Sequence, residues 1–328
     1  MRNNIKIIST PDEGGVKDYS IALCKNLKKK GLNCENIYLT KKNRLKIRKK
    51  IKKKDVIIFN YEAYGYQVKG IPFWLINELS IIKSLSLKLG IYFHEIYAKY
   101  NIFDIRCIIM LSQIFIVKKL LDISDFWATN NNVYFKWLKA NSKKKNYFIL
   151  NTVSNFQDKY NLKKNKKKVI IFGSEASRIN VYKNNTSILL DWKKKNCLDY
   201  YDIGPISKNM SYIKYLKRKI NLKITGKISE NKISKIFSSA NLGILNCDSK
   251  LILKSSIFAA YSKFKICPIN VNEKIFLKKR FISNKFLNYL PNISKNKSID
   301  IIKIKNFNFS KNNNIDNHAK IFLKYLYQ

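Results

Sequence analysis

Lys254, Ser255 and Ser256 stand where a polar loop runs into a helical pattern, and their types suit an anion. The first turn of a helix leaves backbone N–H groups unpaired, and the helix dipole is positive at that end. Add two hydroxyls and an ammonium group, and the stretch can hold a diphosphate. A plainer role suits the same residues: Ser255 as an N-cap and Lys254 as a solvated charge. Upstream, Leu222 to Ile269 reads as strand, glycine turn, helix, strand, polar loop, helix and strand, one βαβαβ half of a doubly wound sheet. Its first turn is Thr225-Gly226. Its polar loop carries Asp248, the only carboxylate between Glu230 and Glu273.

Other strand ends carry chemistry of the same kind. Gly90 to Phe93 is a buried strand that delivers His94-Glu95 into the next loop, and ligands of open α/β sheets bind outside the carboxyl ends of strands. His94 is one of two histidines, the other being His318. A structural role for it stays open beside a role as acid or base. Val169 to Phe172 is followed by Gly173-Ser174, with Arg178 and Lys183 just beyond, and two cations near a glycine turn suit phosphate. Gly14-Gly15, between the first strand and first helix, would let a ligand approach the backbone, or is only a turn.

The elements that must position these residues alternate strand and helix. Strands are expected at 5–8, 36–39, 55–59, 90–93, 126–129 and 147–150. Helices are expected at 16–30, 44–53, 72–88, 106–121 and 133–139. The polar, lysine-rich segment 151–168 reads as an interdomain linker, and a second α/β series follows. Domain limits of 1–155 and 166–313 are expected, with the terminal helix 314–328 returning to the first domain. The loop 60–67 is aromatic and suits sugar stacking or lipid contact.

A length of 328 residues fits two cores, and 46% hydrophobic content fits a folded protein. The formal net charge is +44. Lysines spread through the chain alongside many Asn and Ile form no single stripe, and no aromatic RNA-binding motif accompanies them, which argues against a nucleic-acid partner. Two readings of the charge remain: a compositional bias, or attraction to an anionic membrane surface, for which the basic segment 44–53 is a candidate. The cysteines Cys24, Cys34, Cys107, Cys197, Cys247 and Cys267 have no metal-ligand spacing and read as reduced thiols. No signal peptide or spanning segment is apparent, so a cytoplasmic protein is expected, peripheral on the inner membrane face.

Gly14-Gly15-Val16-Lys17-Asp18-Tyr19 resembles the Gly-Gly-Val-x-Asp-Tyr loop of bacterial family 4-like glycosyltransferases, and Phe93-His94-Glu95-Ile96-Tyr97-Ala98 resembles a His-Glu-Leu-Tyr-Ala motif of one branch. Leu150 to Asn155, Phe172-Gly173-Ser174 and Ser255 to Tyr261 are similar to further marks of that branch. The resemblance implies a GT-B fold, α/β with two Rossmann-like domains facing across a cleft. It implies a retaining hexosyltransferase that needs no cofactor and no metal, using a nucleotide-sugar donor and a cell-surface glycan or lipid-linked glycan acceptor, as in polysaccharide biosynthesis. By the same resemblance, His94 and Glu95 are catalytic, and Gly14 and Gly15 border the acceptor. Gly173, Ser174, Arg178, Lys183, Gly226, Asp248, Lys254, Ser255 and Ser256 hold the donor. The wider family carries paired glutamates in the donor loop and helix, and this sequence has neither. A non-catalytic relative that only binds glycan or a partner is therefore the alternative, ahead of a basic nucleic-acid-binding protein.

Overall fold

The computed structural model describes residues 4–12, 14–101, 103–156, 163–183, 185–196, 198–206, 211–220, 222–272, 288–289 and 296–327. The chain divides into two compact units, Met1–Asn151 with Asn313–Gln328, and Thr152–Asn312. Part of the expected linker (157–162), Cys197 and Glu273 lie outside the described residues.

Unit 1 runs β1 (Ile5–Ser9), α1 (Gly15–Lys29), β2 (Cys34–Tyr38), α2 (Arg44–Lys50), β3 (Val56–Tyr61), α3 (Ala63–Tyr66), α4 (Trp74–Leu85), β4 (Lys88–Phe93), α5 (Cys107–Ile123), β5 (Phe126–Thr129), α6 (Asn132–Asn141) and β6 (Tyr147–Ile149). The strands form one parallel sheet in the order β2-β1-β3-β4-β5-β6. Helices cover both faces of such a sheet, so its inner strands are buried throughout rather than on alternate residues. Every residue of β1 and β3 is accordingly buried. The closing helix Ile315–Leu326 returns to this unit and buries Ala319, Phe322 and Leu326. Phe322 meets Tyr92 and Phe148, with ring centroids at 6.1 and 5.3 Å.

Unit 2 runs β7 (Asn165–Phe172), α7 (Glu175–Tyr182), α8 (Thr186–Asn196), β8 (Asp199–Ile203), α9 (Ser211–Ile220), β9 (Lys223–Gly226), α10 (Glu230–Ser239), β10 (Ala240–Leu245), a 3-10 turn (Ser249–Lys254), α11 (Ser256–Lys263), β11 (Cys267–Asn270) and β12 (Asn288–Tyr289), followed by the helix Asn296–Asn312. Its parallel sheet has the order β12-β11-β10-β7-β8-β9. This corrects the expectation of a contiguous βαβαβ half from Leu222 to Ile269. β9 is an edge strand, and α10 carries the chain back past β8 and β7 to place β10 on the far side of β7. The point where the order reverses therefore lies between β7 and β10.

Two further differences concern helices. The basic helix expected over 44–53 stops at Lys50, and Ile51 is already extended. One of its cations, Arg48, is bound in a fork to buried Glu78, with Nη2 2.5 Å from Oε2. The aromatic loop 60–67 contains the short helix α3 rather than open coil.

Candidate functional site

In unit 1 the candidate residues gather at the carboxyl edge of the sheet. Gly14 is the N-cap of α1 and its carbonyl accepts from Asp18 N at 3.1 Å. Gly14 and Gly15 are exposed, and a Cβ built on either would have open space around it. The backbone at the start of α1 is thus accessible over two consecutive residues.

His94 leaves β4 half-buried, and each side of it is held. Its N–H donates to Tyr61 O at 3.0 Å, its carbonyl accepts from Asn130 Nδ2 at 2.9 Å, and its Nε2 lies 2.9 Å from Asn60 Oδ1. The Asn60 amide donates to Ser20 Oγ at 3.0 Å, and Ser20 donates to Val16 O at 2.8 Å. Because Asn60 presents its oxygen, the proton of the neutral imidazole sits on Nε2. The ring packs on Tyr92 at 4.1 Å and edge-on to Tyr19 at 5.5 Å. Tyr19 in turn meets His318 of the closing helix, its hydroxyl 3.0 Å from Nδ1. Burial pulls His318 down to about 3, so it is neutral at physiological pH. Glu95 is half-buried near the enclosed Tyr61, whose hydroxyl is held well above its usual range by burial first and the Glu95 charge second.

In unit 2 the turns that leave β7, β8 and β9 are tied side by side. Gly173 N donates to Ile203 O and Gly204 N to Gly226 O, both at 3.3 Å. Gly173 has φ +134, and a Cβ there would stand 2.7 Å from Ile257 Cδ1 in the first turn of α11. The turn after β7 therefore packs directly on the helix that follows β10. That contact brings two helix starts together at the reversal point, where open α/β sheets bind ligands. Ser174 caps α7 by accepting from Ser177 N at 3.3 Å. Ser255 caps α11 by accepting from Phe258 N at 3.2 Å, so the capping role is its observed bond, while Ser256 is exposed beside it. Lys254 ends the 3-10 turn, and its carbonyl accepts from Thr152 Oγ1 at 3.0 Å. Asp248 accepts from Lys250 N at 2.9 Å and so caps that turn.

Arg178 departs most from its expected place. It is fully buried rather than facing a diphosphate. Its Nη1 donates to Gly173 O at 2.6 Å, its Nη2 donates to Pro205 O at 2.5 Å, and its Nε lies 2.9 Å from Asp202 Oδ1. Asp202 also accepts from Tyr182 at 2.7 Å. Burial raises the Asp202 carboxyl above its usual range, against the lowering from Tyr182 and Arg178. The guanidinium is thus a pin beneath the glycine turns, positioning them from below. Gly204 exists to make room for it: a Cβ there, at φ +150, would stand 2.0 Å from Arg178 Nη1. Lys183 is exposed at the carboxyl end of α7. Eight helical residues, about 12 Å of rise, separate it from Ser174. Gly226, at φ +67, closes the row of turns on the β9 side.

Sequence reasoning missed Asn60, Ser20, Asp202, Gly204 and Asn270. Asn270 is buried at the end of β11 and clamps the loop after β10, accepting from Cys247 N at 3.1 Å and donating to Cys247 O at 2.9 Å. A signal existed for two of them. Asn60 and Asn270 are single polar residues within apolar strand runs, which buried strands admit only when bonded. Among the described residues no group of three or more His, Cys, Asp or Glu side chains could hold a metal ion, and no helix is long and apolar enough to cross a membrane.

No family model matches the chain. No curated sequence matches it either. Solved structures do. HepE of Anabaena, determined with UDP and glucose, matches with a TM-score of 0.63 at 10% identity, covering 99% of this chain and 100% of that one. A glycosyltransferase of Rickettsia africae matches with a TM-score of 0.65 at 14% identity, covering 99% and 98%.

The fold is GT-B.

AviGT4, a glycosyltransferase involved in avilamycin A biosynthesis, matches at 8% identity with a TM-score of 0.56, over 99% of this chain and 97% of its own. At these identities the likeness is one of architecture: two Rossmann-like units built on parallel sheets.

Proposed function

We propose that this GT-B chain is a glycosyltransferase that moves a sugar from a nucleotide-sugar donor to a cell-surface glycan or lipid-linked glycan, with retention and without a metal. The observation that carries the reading is the contact of the Gly173 turn with Ile257, which sets the starts of α7 and α11 side by side at the reversal point of the unit 2 sheet. Two helix starts with adjacent hydroxyls and Lys254 match a diphosphate better than any neutral ligand. HepE was determined with UDP and glucose, which fits the same class of donor.

In the reaction the bond between the sugar's anomeric carbon and the diphosphate oxygen breaks, and the nucleoside diphosphate leaves with the electron pair. The acceptor hydroxyl oxygen bonds to that carbon and gives up its proton to the departing diphosphate oxygen. Negative charge grows on the leaving diphosphate, so fixed N–H groups at Ser174 and Ser256, the Ser255 hydroxyl and the Lys254 ammonium stabilise the transition state more than the ground state. Gly173, Gly226 and Asp248 shape the donor edge. Arg178 acts from beneath by holding the Gly173 and Pro205 carbonyls. Lys183 extends the positive edge along α7. In unit 1, Gly14 and Gly15 admit the acceptor, and His94 with Glu95 faces the transferring sugar.

One observation favours the alternative, a binding protein without turnover. Asp248, the sole carboxylate of the donor loop, is engaged as a cap through Lys250 N. The two readings part on product formation. Incubation with UDP-, GDP- and ADP-sugars should release nucleoside diphosphate, and that release should fall about a hundredfold or more in His94→Ala. Binding without release by any donor supports the alternative.

A further inference from the structure

The exposed side of α5 is apolar from Ile108 to Phe115 and charged beyond it, at Lys118, Lys119 and Asp122. Ile116, Val117, Leu120 and Leu121 enter the unit 1 core, whereas Ile108, Leu111 and Phe115 recur on the outer face and are exposed. Phe103 and Ile105, in the loop just before the helix, are 89% and 82% exposed. Phe73 lies against Phe115 at 6.1 Å and is also exposed. Single exposed apolar residues are ordinary, but a contiguous set is not. The set is also rigidly built. Buried Gln113 accepts from Ala98 N at 2.7 Å and donates to Gly70 O at 2.9 Å, fixing the loops after β3 and β4 onto α5 as one surface.

Cations rim this surface. Lys69, Lys99, Lys118 and Lys119 are exposed around it, and Lys119 reaches over the Phe115 ring at 5.7 Å. Two carboxylates lie between Ile96 and Ile123: Asp104, bound to Arg106 with Nη2 2.5 Å from Oδ2, and Asp122, exposed near the end of α5, against the five cations Lys99, Arg106, Lys118, Lys119 and, on the neighbouring loop, Lys69. An apolar centre inside a cationic rim matches acidic lipid: hydrocarbon for the centre and anionic headgroups for the rim. A second copy of the chain would oppose one cationic rim with another, in a molecule of net charge +44. A polyanion without hydrocarbon would leave Phe103 and Ile105 in water.

We infer that the face formed by α5 and the loop before it docks on an anionic membrane surface. The face begins in the loop that leaves His94 and Glu95, so docking holds the carboxyl edge of the unit 1 sheet near the headgroups. The basic helix α2 is then not the membrane element; it is short, and Arg48 is committed to Glu78. This inference rests on the surface and not on glycosyl transfer, and its test measures no turnover, so either can fail alone.

The test is co-sedimentation of the full chain with vesicles of phosphatidylcholine alone and of phosphatidylcholine mixed with phosphatidylglycerol. The chain should partition onto the mixed vesicles and not the neutral ones. Combined Phe103→Ser, Ile105→Ser and Leu111→Ser should lower that partition about tenfold or more, since each removes an inserted apolar side chain. The melting temperature should not change, because all three are exposed. Lys46→Gln with Lys49→Gln on α2 should leave partition within about twofold. Failure of the wild type to bind mixed vesicles, or equal binding by the triple variant, overturns the inference. So does a concentration-dependent dimer in sedimentation velocity that the same three substitutions dissolve, which would assign the face to a second copy.

Discussion

His94 Nε2 lies 2.9 Å from Asn60 Oδ1, and the same amide is oriented from behind by Ser20. Asn60 therefore selects the imidazole tautomer and fixes the ring at the carboxyl edge of β4. If His94 acts on the transferring sugar, Asn60 is its positioning residue. His94→Ala should cut release of nucleoside diphosphate about a hundredfold or more. Asn60→Ala should cost about tenfold in kcat with donor KM little changed, the mark of a lost orientation rather than lost binding. Asn60→Asp should move the acid limb of the pH–rate profile upward, because a carboxylate stabilises the imidazolium. An unmoved profile would make the contact structural only.

Gly204 and Gly15 should respond oppositely to the same substitution. Gly204→Ala forces a Cβ against Arg178 Nη1 and Gly173 O, at 2.0 and 2.2 Å, from a left-handed backbone. A loss of about 2–4 kcal/mol in urea unfolding is expected. Gly15→Ala meets nothing within 4 Å and should change stability by less than about 0.5 kcal/mol. Gly15→Trp should also fold, but should block turnover if the acceptor approaches there.

Arg178 and Asp202 form a pair that is 0% exposed on both sides. Removing one partner strands a buried charge, so Asp202→Ala should cost about 3–5 kcal/mol. Arg178→Ala should lose the Gly173 and Pro205 bonds as well. If Arg178→Ala folds with wild-type stability and loses only nucleotide affinity, the guanidinium faces the ligand and the assignment of a pin is wrong.

The closing helix should make unit 1 acid-sensitive. His318 is held neutral down to about 3, against an ordinary value of 6.5. Between those values the unfolded chain binds a proton that the folded chain does not, so stability falls as pH drops from 6.5 towards 3, by about 1.4 kcal/mol per unit. Below that window the loss levels off. The slope should be reduced in His318→Gln, measured by urea midpoint against pH. An identical slope in both proteins would place the acid sensitivity elsewhere.

Much of the architecture was readable because buried parallel strands are near-continuous apolar runs. Ile5-Lys6-Ile7-Ile8 and Phe126 to Thr129 could hardly be anything else, and glycines after strands marked the turns at their carboxyl ends. Strand order was not readable. Nothing in Leu222 to Ile269 says that β9 and β10 lie on opposite sides of β7, because the right-handed crossover is long enough either way. The burial of Arg178 was not readable for a related reason. Its partner Asp202 is far along the chain, on a strand whose register only the folded sheet defines. The same holds for Asn60, which the register sets opposite Tyr92, two residues before His94.

In the proposed function the starts of α7 and α11 hold a nucleoside diphosphate. Titration calorimetry of the full chain with UDP, GDP and ADP tests it without an acceptor. Micromolar binding of at least one is expected, weakened about tenfold in Lys254→Ala. No heat with any of the three, or an affinity untouched by Lys254→Ala and Ser256→Ala together, would contradict it.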